Sequence, residues 1–395
     1  MRGEETFTMK EVTRYSVIQS LLERKMVNRE AALCLGLSMR QVQRIRKKVK
    51  VRGPLGIIHG NTGRLSSHAF PPQERYRIIT VAEDRYFDFN FSHLSEMLEE
   101  EEGIRINRET LRLWLRPRGF GSKARKMPKH RKRRKRSARE GEMLFLDGSP
   151  HQWFGEEEST LLLCTDDATG NPLYGLFQKE EDLDGCFHVC LEVFRRYGLP
   201  AQFYLDRASQ FTTTRHGGLH VSQNDQSPTQ FERAMRELGI GLIFANSPQA
   251  RGRAERINGT FQDRLVAELR LKGIHNAQDA TQYLKHHFIP KFCRRFGLAP
   301  LDKTPAWRTL PPNRDIRNIL CKRFQRTVNN DNTISVNGQI IQLLPSRNRP
   351  HFVKAKVQVN LWINGTWHVF HPHEGEIPCT PVTVKSTPYL QESCL

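Results

Sequence analysis

Apolar positions along the chain change their spacing three times. Residues 9–50 carry them at helical intervals in three short stretches. Val12, Tyr15 and Leu22 mark the first helix, and Ala31, Ala32 and Leu35 the second, with Asn28 as its cap. A GLS turn leads into the third, where Ser38 and Gln41 form an S-x-x-Q capping box. Val42, Ile45 and Val49 face inward there, leaving Arg40, Arg44, Lys47 and Lys48 outside. The pattern predicts a helix-turn-helix with a basic recognition helix; a generic basic helical hairpin is the plain alternative. Residues 51–70 lack periodicity and read as a linker. Residues 71–120 predict a second, helix-turn-helix-like unit. Its last helix, capped by Asn107, turns Leu111, Trp114 and Leu115 inward and presents Arg108 and Arg112. The acidic run Glu99 to Glu102 reads as a solvated helix end.

From 141 to 275 the chain alternates short apolar runs with helical stretches. Met143 to Gly148, Thr160 to Thr165, Leu173 to Gln178, the run ending at Leu205, and Ile240 to Ala245 read as strands. Leu183 to Tyr197 and Phe231 to Leu238 read as helices. Ile257, Phe261, Leu265 and Leu269 form the apolar stripe of another. This predicts an α/β core, a mixed sheet with helices on its faces. Asp166 and Asp167, in DDATGN, are explained as turn residues. A helical connector, 276–312, is interrupted at Pro290. From 320 to 385 the period drops to two. TISVNGQIIQL and KAKVQVNLWINGTWHVF each place an N-G turn between alternating strands.

The charge balance narrows the function classes. The 395 residues hold 62 Lys+Arg against 42 Asp+Glu, a net +20, which calls for a polyanionic partner, nucleic acid before membrane. Residues 121–140 concentrate that charge in a basic linker that includes Arg133 and Arg134. No apolar run approaches membrane-spanning length, and the N-terminus lacks a signal-peptide core. The 8 cysteines are scattered, and Cys186 and Cys190, flanking His188, read as buried thiols in a reducing cytoplasm.

Three carboxylates stand out against this basic background. Asp147 closes the run Met143 to Leu146, and Asp206 closes Phe203 to Leu205. Glu255 lies in a helix start among Arg251, Arg253 and Arg256, with Asn258 and Gln262 on a neighbouring face. Taken alone, Glu255 reads as a surface ion pair. Three carboxylates converging from two strand ends and a helix repel one another unless a cation neutralises them, and hard oxygen ligands suit Mg²⁺ or Mn²⁺.

The order Asp147, then Asp206 in D-x-x-S-x-F, then Glu255 in S-P-x(6)-E-R-x-N resembles the DDE core of retroviral integrases and insertion-sequence transposases. The stretches DGSPHQW, CTDDATG, SPQARGRAER and NGTFQDRLVAELR are most similar to transposases of the ISNCY type. The resemblance implies a ribonuclease-H-like core, a small C-terminal β-barrel, and two divalent ions held by Asp147, Asp206 and Glu255. It implies metal-dependent strand cleavage and transfer, on double-stranded DNA of transposon ends and target. It further implies a homo-oligomer on DNA, with no membrane and no small-molecule cofactor, at the nucleoid of a bacterial cytoplasm. Arg251, Arg253, Arg256 and Asn258 would position strand-end phosphates. The chain departs from the family in a longer stretch between Asp206 and Glu255, read as a loop insertion over 212–228. A DNA-binding regulator without catalysis, and a nuclease of the same fold that only hydrolyses, remain the alternatives.

Overall fold

The computed structural model describes residues 7–62, 69–121, 134–206, 228–244, 252–310, 312, 314–346 and 349–382. The chain divides into two compact units, Met1–Ile78 and Ile79–Leu395. Arg133, Arg251, most of the basic linker and nearly all of the 212–228 insertion lie outside the described residues.

The first unit holds α1 (Met9–Leu22), α2 (Asn28–Leu35) and α3 (Met39–Arg52) around a core of Ile18, Leu21, Ala31, Val42, Val49 and Ile57. The capping box forms as the pattern predicts: the Ser38 N–H donates to Gln41 Oε1 (3.1 Å) and the Gln41 N–H to Ser38 Oγ (3.3 Å). Helix α2 starts differently. Val27, not Asn28, is its cap, because the Glu30 carboxylate reaches back to accept from the Val27 N–H (3.0 Å). Residues 53–57, expected to be linker, form a 3₁₀ turn that buries Ile57. Gly56 permits it, since a Cβ there would lie 2.5 Å from the Lys48 carbonyl carbon.

The core of the second unit is a five-stranded mixed sheet in the order β3-β2-β1-β4-β5. Strands β1 (Met143–His151), β2 (Ser159–Asp166) and β3 (Pro172–Gln178) are antiparallel; β4 (Gln202–Leu205) and β5 (Gly241–Phe244) run parallel to β1. The even residues Leu144 and Leu146 bury against α7 (Leu183–Tyr197) and α8 (Gln230–Glu237). Leu161, Leu163 and Phe177 point to the other face, under α9 (Ala254–Leu271), α10 (Ala277–Tyr283) and α11 (Ile289–Phe296). Pro290 does not break the connector: it opens α11, where a missing N–H costs no bond, and a π turn over Leu284–Phe288 joins the two helices.

Helices α4 (Pro72–Arg85), α5 (Phe91–Glu102) and α6 (Arg108–Leu115) precede the sheet. Helix α5 lies along α9 through buried polar pairs. His93 Nε2 meets Glu268 Oε1 at 2.8 Å, and Arg264 grips Glu96 through two bonds of 2.7 and 3.1 Å. The acidic run is the solvated end of α5, as expected, but it is also paired: Glu100 with Lys291 (2.7 Å), Glu101 with Lys272 (3.0 Å), and Glu102 with Arg85. An acidic edge of α5 thus meets a basic edge of the core, so residues 79–121 pack as part of the second unit.

The C-terminal strands are β6 (Lys322–Thr327), β7 (Thr333–Val336), β8 (Gln339–Leu343), β9 (Lys356–Leu361), β10 (Trp367–His371), β11 (Gly375–Ile377) and β12 (Cys379–Val382). They form two sheets, β11-β10-β9-β6 and β12-β8-β7, around one apolar core; among the described residues the strands do not close into the expected single barrel. Pro378, between β11 and β12, carries the chain from one sheet to the other and has no N–H with which to continue the ladder. The two N-G pairs also differ. Asn337 and Gly338 both have positive φ (50° and 77°), as a two-residue primed turn requires. At the second pair only Gly365 does (φ 80°), in a longer loop closed by its N–H to Trp362 O (2.9 Å).

Candidate active site

Strand alternation gives β1 two different faces. Met143, Phe145, Asp147 and Ser149 all point toward α9. Ala254 packs on Met143 and Phe145, the Asn258 amide donates to Asp147 Oδ2 (2.9 Å), and the Gln262 amide donates to Ser149 Oγ (3.0 Å). Ala254, Asn258 and Gln262 are spaced by four, so one helix face runs along one strand face. The small Ala254 lets the first turn of α9 close on the sheet.

Asp147 is therefore not at a strand end, as its place before a G-S-P turn signal suggested. Strand β1 continues to His151, paired with β2 throughout. Pairing on its other edge stops earlier, since β4 ends at Leu205 and the register closes at Phe145↔Tyr204. Beyond that point β1 has no strand partner on the β4 side among the described residues, so Pro150 breaks no described ladder bond there. Half-buried Asp206 directly follows Leu205 at the end of β4, the strand next to β1. Asp147 itself is buried, at 8% exposure.

Glu255 stands in the first turn of α9, exposed, three residues before Asn258. Among the described residues no three acidic, histidine or cysteine side chains converge on a common point. The three elements carrying the carboxylates are adjacent, and all three donors are hard oxygens, which fits Mg²⁺ or Mn²⁺ and not a thiolate-seeking metal. The thiols of Cys164, Cys186 and Cys190 are buried, and burial pushes each up, away from thiolate.

Asn258, predicted to hold a DNA phosphate, is buried and spends its amide on Asp147; its observed contact orients a carboxylate. Arg253 and Arg134 are likewise engaged by the protein itself, although Arg134 stays exposed. Both pair with Asp167, Arg134 Nη2 at 2.7 Å from Oδ1, and the Ser137 N–H donates to Oδ2 (2.7 Å). The DDATGN turn accounts for Asp166, which accepts from the Thr169 N–H (2.8 Å) and from Gly141 (3.0 Å). It does not account for Asp167, which anchors the end of the basic linker to the core. Burial raises the Asp166 carboxyl above the usual range. For Asp167 the same burial is outweighed by the Ser137 N–H, Arg253 and Arg134, which hold it below. Arg256 is exposed, as are Arg40, Arg44 and Lys47 on α3 and Arg108 on α6; Arg112 is engaged by Glu109 (2.7 Å).

Sequence reasoning missed the buried Asp167 anchor, the part of Arg136, whose Nη1 donates to the Asp167 carbonyl (3.0 Å), and the carboxylate of Glu181 packed on Gly148. A glycine next to Asp147 was the only local sign of the last.

No family model matches the chain. The putative transposase y4bF of Sinorhizobium fredii is 33% identical over 361 residues, 90% of this chain and 78% of that protein. The transposase for insertion sequence IS1202 of Streptococcus pneumoniae is 31% identical over 364 residues, 81% of this chain and 75% of its own length. Among solved structures, a chain of the simian T-cell lymphotropic virus intasome is 13% identical and aligns over 76% of this chain and 97% of its own, with a TM-score of 0.32. The HTLV-2 integrase catalytic core domain in complex with magnesium is 16% identical, covering 38% of this chain and 90% of its own, with a TM-score of 0.28.

Proposed function

The chain belongs to the insertion-sequence transposases, and on that premise we propose that it binds the ends of its own insertion sequence and cleaves and joins DNA strands at Asp147, Asp206 and Glu255. The core is read as ribonuclease-H-like, and the assembly as a homo-oligomer on DNA in the bacterial cytoplasm. The observation that carries this reading is the Asn258–Asp147 hydrogen bond, which holds the helix turn of Glu255 against the strand of Asp147, beside the end of β4.

Two divalent ions, held by the three carboxylates, would supply charge neutralisation and activation for an in-line displacement at phosphorus. The chain's own residues set the geometry. Asn258 holds Asp147 Oδ2 and so fixes the rotamer of a buried carboxylate. Asp206 follows the end of β4 and Glu255 lies in the first turn of α9, which supports the reading. Arg40, Arg44, Lys47 and Arg108 are exposed on helix surfaces, available to phosphates and base edges. The joining reaction needs a DNA 3′-hydroxyl as attacking group, so no side chain acts as nucleophile.

The test uses DNA ends that the protein itself selects from a random pool. Asp147→Asn, Asp206→Asn and Glu255→Gln are each expected to abolish Mg²⁺-dependent cleavage and joining while end binding persists. Cleavage retained by any of the three removes that residue from the site.

A further inference from the structure

On the flank of α9 opposite to Glu255, the chain forms a second polar cleft. At 3.6 residues per turn, Arg253, Arg256 and Ile257 share that flank, whereas Asn258 and Glu255 turn toward β1 and away. The cleft encloses ≈ 140 Å³, and Arg136, Phe292 and Phe296 complete its walls. Gly170 makes room for Arg136: its φ is +71°, and a Cβ there would come within 3.1 Å of the Arg136 guanidinium.

The charges in this cleft do not balance. Asp167 is buried and already takes Arg134 and Arg253. Asp166 is occupied by Gly141 and Thr169. Arg136 finds only a backbone carbonyl, and Arg256 has no carboxylate within ion-pair distance among the described residues. Burial, and then the neighbouring charge of Arg253, lower the proton affinity of Arg136, although the charges of Asp167 and Asp166 act the other way. Beside them stands an aromatic wall. Arg264 and Arg295 both lie over the Phe296 ring, with Cζ 4.9 and 5.8 Å from its centroid, and Phe292 packs beside it (4.8 Å); Phe296 lines the cleft and is 38% exposed.

We propose that this cleft is a nucleic-acid site separate from the carboxylates, holding one unpaired nucleotide of a DNA strand with its phosphate on Arg136 and Arg256 and its base on Phe296. A duplex, whose major groove alone is about 12 Å wide, does not enter so small a space. A guanidinium pair next to a part-exposed ring is the combination that single strands use, stacking on a flat face while the backbone follows positive charge. The assignment rests on the DNA-transposase reading. It adds a single-strand contact on the flank of α9 away from the carboxylates.

The test measures anisotropy of a labelled oligothymidylate of about ten nucleotides on the full-length protein, with a blunt duplex in parallel. Arg256→Ala is expected to weaken oligothymidylate binding about tenfold and to lower its salt slope by about 0.7. Phe296→Leu is expected to weaken it about fivefold or more with the salt slope unchanged. Duplex affinity is expected to hold in Phe296→Leu and to fall less than oligothymidylate affinity in Arg256→Ala, while thermal unfolding reports that both variants fold. A 2-aminopurine within the strand is expected to be quenched on binding to the natural protein and less so on Phe296→Leu. Oligothymidylate binding unchanged in Arg256→Ala overturns the site. Loss in Arg256→Ala with none in Phe296→Leu overturns the nucleotide and leaves a bare phosphate contact. Equal loss of single strand and duplex also overturns it. Mg²⁺-dependent nicking by the unaltered protein is scored separately: its absence sinks the transposase reading, whatever the oligothymidylate shows.

Discussion

The pairing of Glu96 with Arg264 gives the sharpest quantitative test of how α5 is held to α9. Both side chains are 9% exposed and make two bonds, while Arg295, 48% exposed, adds a third contact to Glu96 at 2.5 Å. Glu96→Gln preserves volume and removes the charge, leaving Arg264 buried without a carboxylate. Breaking a buried pair this way costs about 3–5 kcal/mol. The lower end applies here, because Arg264 keeps its position over Phe296 and Arg295 can turn to water. A loss of about 3 kcal/mol in the local opening free energy corresponds to roughly 150-fold faster amide exchange in α5. Glu96→Leu combined with Arg264→Met removes both charges and is expected to fall within about 1 kcal/mol of the natural protein. The assay is native-state hydrogen exchange read by mass spectrometry on peptides of α5, with α3 as internal reference. Exchange in Glu96→Gln within about fivefold of the natural protein, or a double variant as costly as its two singles together, would refute the reasoning.

Three further outcomes follow from the same structure. Burial pushes the His93 imidazole down, so it stays neutral and donates to Glu268; burial opposes ionisation of Glu268 too, but the bonds from His93 and Tyr283 outweigh it and hold its carboxyl low. Both groups then bind fewer protons folded than unfolded, so stability is expected to fall as pH drops below about 6.5, and His93→Gln, measured by urea titration across pH, to flatten the part above about pH 5. Asn258→Leu removes the donor to buried Asp147 and is expected to slow cleavage about 10- to 150-fold, the equivalent of about 1.5–3 kcal/mol, with end binding intact by gel shift. Gly141→Ala meets both a positive φ (77°) and the Trp307 ring 2.5 Å from the new Cβ, so a loss of about 1–3 kcal/mol is expected in thermal unfolding.

Much of the local architecture was legible in the residues alone. The Ser38 capping box, the Asn337–Gly338 turn, the apolar stripe of α9 and the alternation of strands with helices are each written within a few neighbouring positions. Period and capping depend only on side chains one to four residues apart. The candidate carboxylates were singled out by the apolar runs before Asp147 and Asp206 and by the family resemblance, and their role is the proposal made above. Tertiary structure alone decided their surroundings. Asp147 proved to be inside a strand, since the length of β1 is set by its pairing with β2 while its described pairing with β4 stops at Phe145. Asn258 became the partner of that carboxylate, and Arg134 and Arg253 became the counterions of Asp167, through contacts across 111, 33 and 86 positions. The acidic edge of α5 found its basic counterpart farther away still, as in the 168-residue separation of Glu96 and Arg264. A charged side chain looks the same in sequence whether water, DNA or a distant carboxylate neutralises it. Folding settles the choice, because only burial makes an unpaired charge costly enough to require one particular partner.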